Sequence, residues 1–218
     1  MSSGTDSEMR FQLIDETTRG DHFHLMPEDE CAYLREYTSG AGWRGGETNQ
    51  QISNLKKKRG QGGYQYKGGA IALCAREMFA SLSVDWLRTG TLVPIPPSKV
   101  RGDPEHDARM LHVCRRISDA AGFAVEIRDL LRQTVSTAPF HEGDRMSVAD
   151  LAQLYEIDTS VELPEPTEIA LIDDVLTAGT HFKAAQAVLH TRYPAAKIFG
   201  LFWARRVFPN PFENLDDT

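Results

Sequence analysis

The sequence contains little cysteine and no long apolar segment. Three cysteines stand among 218 residues, far apart and without CxxC spacing, which argues against a disulfide framework and indicates a reducing compartment. No apolar run approaches the length that spans a bilayer, and the first residues lack the basic and then apolar pattern of a signal peptide. These absences predict a cytoplasmic protein that does not enter a membrane.

An excess of positive charge is also missing. The formal net charge is -7 and the pI is about 5.5, so the chain is a poor candidate for a protein that wraps DNA. Hydrophobic residues make up 41% of the chain and charged residues 25%, as in ordinary globular proteins with a core. The length suits one domain with an elaboration.

Composition divides the chain into four segments. Residues 1–40 form an N-terminal extension that we expect to be partly disordered, and residues 41–90 form a helical, Gly-rich hood region. Nine of the seventeen glycines fall between positions 40 and 69, around the basic run Lys56–Arg59. Residues 91–207 form the core, and residues 208–218 form an acidic tail.

The core alternates apolar strands with amphipathic helices. The predicted strands cover residues 91–95, 124–127, 168–172 and 198–203. The predicted helices cover residues 71–82, 103–121, 147–155 and 182–190, with Asp103 as the N-cap of the second. This order predicts an α/β fold with a mainly parallel central sheet flanked by helices, in which ligands bind at the carboxyl ends of the strands.

The segment with the clearest chemistry is residues 169–181, IALIDDVLTAGTH. A buried strand delivers Asp173 and Asp174 to its carboxyl end, and a loop of small residues then opens a helix. Backbone N–H groups at a helix N-terminus favour an anion, and Gly179 lets the backbone approach a phosphate closely. Carboxylates suit sugar hydroxyls or a divalent metal, so the combination indicates a phosphorylated sugar.

Two alternatives to this interpretation differ in strength. A P-loop is excluded because the chain contains no GxxxxGK[ST] sequence, and the loop also lacks GxGxxG. A strand that ends in a solvated Asp pair before an ordinary helix cap stays open. The whole pattern in register favours the ligand site.

The same stretch resembles the motif by which type I phosphoribosyltransferases bind phosphoribosyl pyrophosphate (PRPP): four apolar residues, two acids and a T-[TSA]-G-x-[TSA]-like loop. The resemblance implies the type I phosphoribosyltransferase fold. It also implies that Asp173 and Asp174 hold the ribose 2- and 3-hydroxyls, with Mg²⁺ as the cofactor bound through the substrate and these acids. The residues implied to hold the 5-phosphate are Thr177, Ala178, Gly179, Thr180 and His181. His181 departs from the pattern, because a small hydroxyl residue is more usual there.

Residues 92–102, LVPIPPSKVRG, resemble the first core strand and basic loop of the ComF family of this fold. The resemblance implies that Pro97, Ser98, Lys99 and Arg101 contact the pyrophosphate of PRPP. Cations and amides aimed at a departing pyrophosphate stabilise the negative charge that grows in the transition state. The alternative is a Pro-rich surface turn with solvated bases.

Residues 131–140 with Arg145 resemble the mobile ComF flap that closes over the active site. Arg132 and Arg145 are implied PRPP contacts, although solvated loop arginines explain them equally well. Residues 48–57 resemble the helix that precedes the ComF core. The four-cysteine zinc module of many ComF proteins is absent, since Cys31 stands alone.

The resemblance implies a transferase of nucleotide metabolism that moves a phosphoribosyl group from PRPP to a nitrogen acceptor such as a nucleobase. Asp173, Asp174 and Lys99 are its implied catalytic residues, and a homodimer is its default assembly. A second hypothesis keeps the same fold as a non-catalytic sensor of PRPP or nucleotides, or as a DNA-processing adaptor of the competence or defence type.

Aromatic and basic residues outside these motifs allow two further interpretations. The segment 56–67, with Tyr64 and Tyr66, has the composition of a single-strand nucleic-acid contact, but we favour a solvated flexible loop. The acceptor base cannot be read from the sequence. Phe202, Trp203 and Phe208 are candidates to stack on it, but strand spacing favours a place in the core for them.

Overall fold

The computed structural model describes residues 9–137 and 146–209. The strands are β1 (Gln12–Leu13), β2 (Cys31–Thr38), β3 (Thr91–Pro94), β4 (Glu126–Ile127), β5 (Leu131–Gln133), β6 (Tyr155–Ile157), β7 (Glu168–Leu176) and β8 (Lys197–Val207). The α-helices are α1 (Glu47–Leu55), α2 (Lys67–Ser81), α3 (Val84–Leu87), α4 (Arg109–Ala121), α5 (Val148–Gln153) and α6 (Thr180–Arg192). Short 3-10 turns lie at Arg19–Asp21, Gly42–Arg44, Tyr64–Tyr66 and Thr159–Val161.

Six strands form the central sheet in the order β1-β2-β8-β7-β3-β4. Only β1 runs antiparallel to its neighbour in this sheet, and the other pairs are parallel. Strands β5 and β6 form a separate antiparallel pair. This architecture confirms the predicted α/β class with a mainly parallel sheet and flanking helices.

Two apolar layers cover the faces of the sheet. On one face, Ile172 and Trp203 pack with residues of α1, α2 and α4. On the other face, Leu171 and Phe202 pack with residues of α5 and α6. Successive side chains of a strand point to opposite faces, so a strand buried on both faces must be apolar at every position. This explains the continuous apolar run that ends at Ile172.

The sheet extends further along the chain than sequence patterning predicts. Strands β7 and β8 stay paired beyond the acids, from Asp173 opposite Phe202 to Leu176 opposite Arg205. Strand β2 falls in a segment with no clear period, yet it begins with four buried residues and pairs in parallel with β8. The N-terminal segment therefore contributes to the main sheet. The division into extension, hood, core and tail stays a prediction.

One predicted helix start is wrong and another is confirmed. Helix α4 begins at Arg109 and not at Asp103. The Asp103 carboxylate instead accepts hydrogen bonds from the Ser136 hydroxyl at 2.7 Å and the Glu105 N–H at 2.8 Å, which close a turn in place of a helix. Helix α5 has the predicted cap, because the Ser147 hydroxyl accepts a hydrogen bond from the N–H of Asp150.

Across residues 9–137 and 146–209, none of the helices combines the length and the apolarity that a bilayer crossing needs.

Candidate functional site

The parallel pairing of β3 with β7 brings the two predicted motifs together. Pro94 lies opposite Ile172, and the N–H of Ile95 donates to the Ile172 carbonyl at 3.0 Å. The loop after β3 therefore lies beside the acids of β7, where a cavity of about 260 Å³ opens. The predicted site residues that line this cavity are Pro97, Ser98, Lys99, Arg101, Arg132, Asp173, Asp174, Thr177 and His181.

A second cavity of about 210 Å³ adjoins the first along the loop that precedes α6. The two cavities share Thr177 and His181. Ala178 and Thr180 also line the second cavity, together with Arg206 at the end of β8. Sequence analysis missed Arg206, because only the pairing of β8 with β7 brings this strand end beside the loop. Two predicted site residues remain: Gly179 lines neither cavity, and Arg145 lies outside the described residues.

Asp174 is buried and both of its carboxylate oxygens contact cations. Its Oδ2 accepts a hydrogen bond from Nε of Arg109 at 2.7 Å, and its Oδ1 lies 3.2 Å from Nζ of Lys56. Burial by itself would raise the pKa of Asp174, but Arg109 and Lys56 together hold that pKa well below its ordinary value. Asp174 is therefore a charge-paired anion at neutral pH.

Asp173 differs from its neighbour in both contacts and charge. Its Oδ1 accepts a hydrogen bond from the N–H of Asp174 at 2.8 Å. Burial and the adjacent charge of Asp174 raise the pKa of the Asp173 carboxyl well above its ordinary value. Asp173 lines the cavity. Unlike that of Asp174, its carboxyl makes no ion pair in the described part of the chain.

Sequence analysis did not assign Lys56 and Arg109 to this site. Lys56 stood out only as part of a basic run, and Arg109 fell inside a helix predicted to begin six residues earlier. In the structure Lys56 pairs with Asp174, and Lys58 pairs with Glu105 at 3.0 Å. Two charges of the run are thus neutralised within the protein, which weakens the nucleic-acid interpretation of this segment.

Gly179 makes the turn from the loop into α6. Its φ of +90° lies in the left-handed region, and it forms the N-cap of the helix. The first helical bond runs from the N–H of Lys183 to the Gly179 carbonyl, and no side chain of the described residues caps this end. The preceding N–H groups of the first turn have no intrahelical partner and suit an anion.

Residues 22–25 pack over the loop and hold it in place. A ring nitrogen of His22, Nδ1, contacts the Thr177 carbonyl, and the N–H of His24 donates to the Ala178 carbonyl at 3.0 Å. A Cβ placed on Gly179 would meet Cδ2 of Leu25 at 3.0 Å. The N-terminal segment, which had no predicted role at the site, therefore supports the loop.

Replacing Gly179 by alanine is expected to lower the free energy of unfolding by about 2 kcal/mol, because a positive φ strains any side chain and Leu25 must shift. Gly122→Ala is the matched control: Gly122 has a φ of +71° with nothing within 4 Å of an added Cβ. We expect this control to lose only about 1 kcal/mol. Urea unfolding measures both, and equal losses would contradict the contact with Leu25.

His181 is a neutral part of the wall. Its Nδ1 and the hydroxyl of Tyr155 share a hydrogen bond of 2.8 Å. Burial lowers the pKa of His181 to about 4, so the ring carries no charge at neutral pH. The hydroxyl of Tyr155 lies beside the loop through its hydrogen bond with His181, but Tyr155 lines neither cavity.

The cations after β3 and in β5 differ in how far acids engage them. Arg101 pairs with Asp129 at 2.6 Å and with Asp158 at 2.9 Å. Arg132 also lies 3.1 Å from Asp158. Lys99 reaches no acid closer than 4.0 Å in the described part of the chain, and that acid, Glu105, is half exposed. Lys99 is therefore better placed than either arginine to meet an anion in the cavity.

The aromatic candidates for stacking on a base, and the thiol of Cys114, lie outside the two cavities. Phe202 and Trp203 are buried in the two apolar layers, as strand spacing favours, and Phe208 is exposed and stacks against Arg206. Cys114 is buried on its helix. None of these residues lines the two cavities.

Asp174 does not fit the magnesium role that the resemblance implies for the acid pair. Both oxygens of Asp174 are taken by Arg109 and Lys56, and a metal ligand would have to displace one of these cations. Within residues 9–137 and 146–209, His, Cys, Asp and Glu side chains form no group of three that could hold a metal ion. We therefore derive no catalytic step through a metal bound by Asp174.

The fold and the cavity define the class: a mixed α/β protein with a mostly parallel sheet and a cavity at the carboxyl ends of two of its strands. No family model matches the chain, and no curated protein matches it. Among solved structures it is similar to a hypoxanthine phosphoribosyltransferase from Staphylococcus aureus, with 15% identity, a TM-score of 0.39, and coverage of 65% of this chain and 74% of that chain. So distant a likeness carries no argument, and the closer resemblance to ComF stays a prediction.

Proposed function

We propose that the chain binds PRPP and transfers its phosphoribosyl group to a nitrogen acceptor such as a nucleobase. One observation carries the proposal. An acid pair, an uncapped helix N-terminus and a lysine surround two adjoining cavities at the carboxyl ends of β3 and β7. These groups match, in order, the hydroxyls, the 5-phosphate and the pyrophosphate of PRPP.

The smaller cavity suits the 5-phosphate. The first turn of α6 offers backbone N–H groups there, and Thr177 and Thr180 add hydroxyls. Arg206 adds a positive charge, and its Nη2 is held by the Asp21 carbonyl at 2.8 Å. The N-terminal segment that contains Asp21 thus positions a phosphate-binding cation as well as the loop.

The larger cavity suits ribose and pyrophosphate. Asp173 accepts hydrogen bonds from the ribose hydroxyls, and Lys99 faces the pyrophosphate. As the bond from C1 to pyrophosphate lengthens, positive charge grows on the ribose ring and negative charge on the leaving group. Lys99 and the amides of its loop stabilise that negative charge, while an acceptor nitrogen attacks C1. The chain's contribution is positioning and electrostatic stabilisation.

The second candidate is a non-catalytic sensor of PRPP or nucleotides that keeps the same site, or a DNA-processing adaptor of this fold. The pairing of Asp174 with Lys56 and Arg109 favours it, because Asp174 then neutralises cations of the chain and Asp173 is left to meet the ribose hydroxyls. Release of pyrophosphate in a screen of nucleobase acceptors separates the two candidates. A sensor binds PRPP and releases none.

Calorimetric titration with PRPP, in buffer that contains MgCl₂, tests the proposal. We expect wild-type protein to bind in the micromolar range and Lys99→Met to weaken binding about tenfold, because one charge-assisted hydrogen bond is lost. Lys197→Met is the matched control. Lys197 is the first residue of β8, and the amino ends of the parallel strands lie at the edge of the sheet opposite the cavity. Absence of PRPP binding to wild-type protein would overturn the proposal.

A further inference from the structure

A chain of alternating charges leads from the cavity into the helical layer. Asp174 pairs with Arg109 at 2.7 Å, and Arg109 pairs with Asp107 at 3.0 Å. Asp107 in turn pairs with Nζ of Lys67 at 2.8 Å. Lys67 is buried at the start of α2, so the chain joins β7, the N-terminus of α4 and the N-terminus of α2.

The chain of charges closes on itself at the end of α1. Nζ of Lys67 also donates to the carbonyls of Leu55 at 2.7 Å and Lys57 at 3.0 Å. These carbonyls flank Lys56, whose Nζ lies 3.2 Å from the other oxygen of Asp174. The backbone of Lys56 is therefore fixed by Lys67, and its ammonium group is aimed at the cavity.

The two cations that contact Asp174 differ in burial and in their ion pairs. Arg109 is mostly buried and bridges Asp174 and Asp107, so it is a fixed charge. The side chain of Lys56 is 45% exposed and makes one ion pair with the described residues, so its ammonium group can move from Asp174 to a ligand oxygen within the cavity. The Asp174 oxygen that it leaves would then accept a hydroxyl of the ligand.

We propose that Lys56, backed by Arg109, supplies the positive charge that neutralises a bound phosphorylated sugar, so that this site binds PRPP without a divalent metal. The inference rests on the proposed function. It adds to that function a role for Lys56 and independence from a divalent metal. The physical reason is the donor set: a divalent ion would compete with two cations already in place on Asp174. An ammonium group that exchanges between Asp174 and a phosphate oxygen performs the same neutralisation.

Calorimetric titration with PRPP in excess EDTA and in excess MgCl₂ tests the inference. Wild-type protein is expected to bind with dissociation constants that agree within about threefold, a difference below one ordinary hydrogen bond. Binding in MgCl₂ alone would overturn the inference and leave the proposed function standing. Binding in neither buffer would overturn both.

Lys56 itself is tested by variants titrated in EDTA. Lys56→Met is expected to weaken PRPP binding about tenfold, the effect of one charge-assisted hydrogen bond, and Lys56→Arg to retain most of the affinity. Lys57→Met is the matched control, because Lys57 lines a separate cavity with Trp43 and Tyr66. Equal affinities of Lys56→Met and Lys57→Met would overturn the role of Lys56. Should Lys56→Met fail to fold, Lys56→Gln, which also removes the charge, takes its place in the comparison with Lys57→Met.

Discussion

Replacing Asp174 by asparagine is expected to lower the free energy of unfolding by about 3 kcal/mol, because removal of one member of a buried ion pair leaves the other charge poorly compensated. Arg109, which is 19% exposed, would keep only Asp107 as an acidic partner among the described residues. Lys56 would lose its partner too, but its more exposed side chain can turn to water. Urea unfolding followed by circular dichroism measures the loss.

Asp173→Asn is the matched control for this prediction. The two acids are adjacent, and asparagine Oδ1 can still accept the hydrogen bond from the N–H of Asp174. We expect this variant to lose less than about 1 kcal/mol, since no ion pair is broken. The double variant Asp174→Asn/Arg109→Met should lose less than the sum of its single changes. Similar losses for the two single Asp variants would contradict the ion-pair account.

Replacing Trp203 by alanine is expected to cost about 4 kcal/mol of unfolding free energy, the range for a large aromatic residue removed from a core. Trp203 is fully buried between the sheet and the helices of one face. Its indole N–H also donates to Oε2 of Glu77 at 2.7 Å, and Arg35 binds the same carboxylate. The substitution leaves both a cavity and a carboxylate with one donor fewer. Urea unfolding gives the measurement.

Trp203→Phe separates the core role from a role in binding a base. This variant keeps most of the apolar volume and is expected to cost about 2 kcal/mol, mainly through the lost hydrogen bond to Glu77. PRPP and nucleobase affinities should stay at the wild-type level, because Trp203 lines neither cavity. A selective loss of nucleobase affinity in a stably folded Trp203→Phe protein would restore the stacking hypothesis.

The loop before α6 and the ends of the strands could be predicted from local sequence, because the residues with the relevant chemistry are neighbours in the chain. The acids, the small residues and Gly179 follow one another along one strand and its turn, so their spacing alone indicates a phosphorylated ligand. The loop of Lys99 follows another strand in the same way. Carboxyl ends of neighbouring parallel strands share one edge of a sheet, so the two motifs were expected to meet, as they do.

Sequence signals for the start of a helix predicted the structure near the site less well. The sequence Asp103-Pro104 is favourable for a helix start. In the structure the Asp103 carboxylate instead accepts a hydrogen bond from Ser136, 33 residues away, and α4 begins at Arg109. A tertiary hydrogen bond of this kind has no local signature. Arg109, the partner of Asp174, is the first residue of α4 as the structure has it.

The sequence by itself determined the α/β alternation, the acid pair near the carboxyl end of a strand and the glycine turn that follows, because each of these depends on residues close together in the chain. Only the tertiary structure decided how the site is charged. Lys56 and Arg109 come from other elements to occupy both oxygens of Asp174, and Arg206 comes from the end of β8. The free energy of an ion pair depends on distance and burial, and neither quantity exists until the chain has folded.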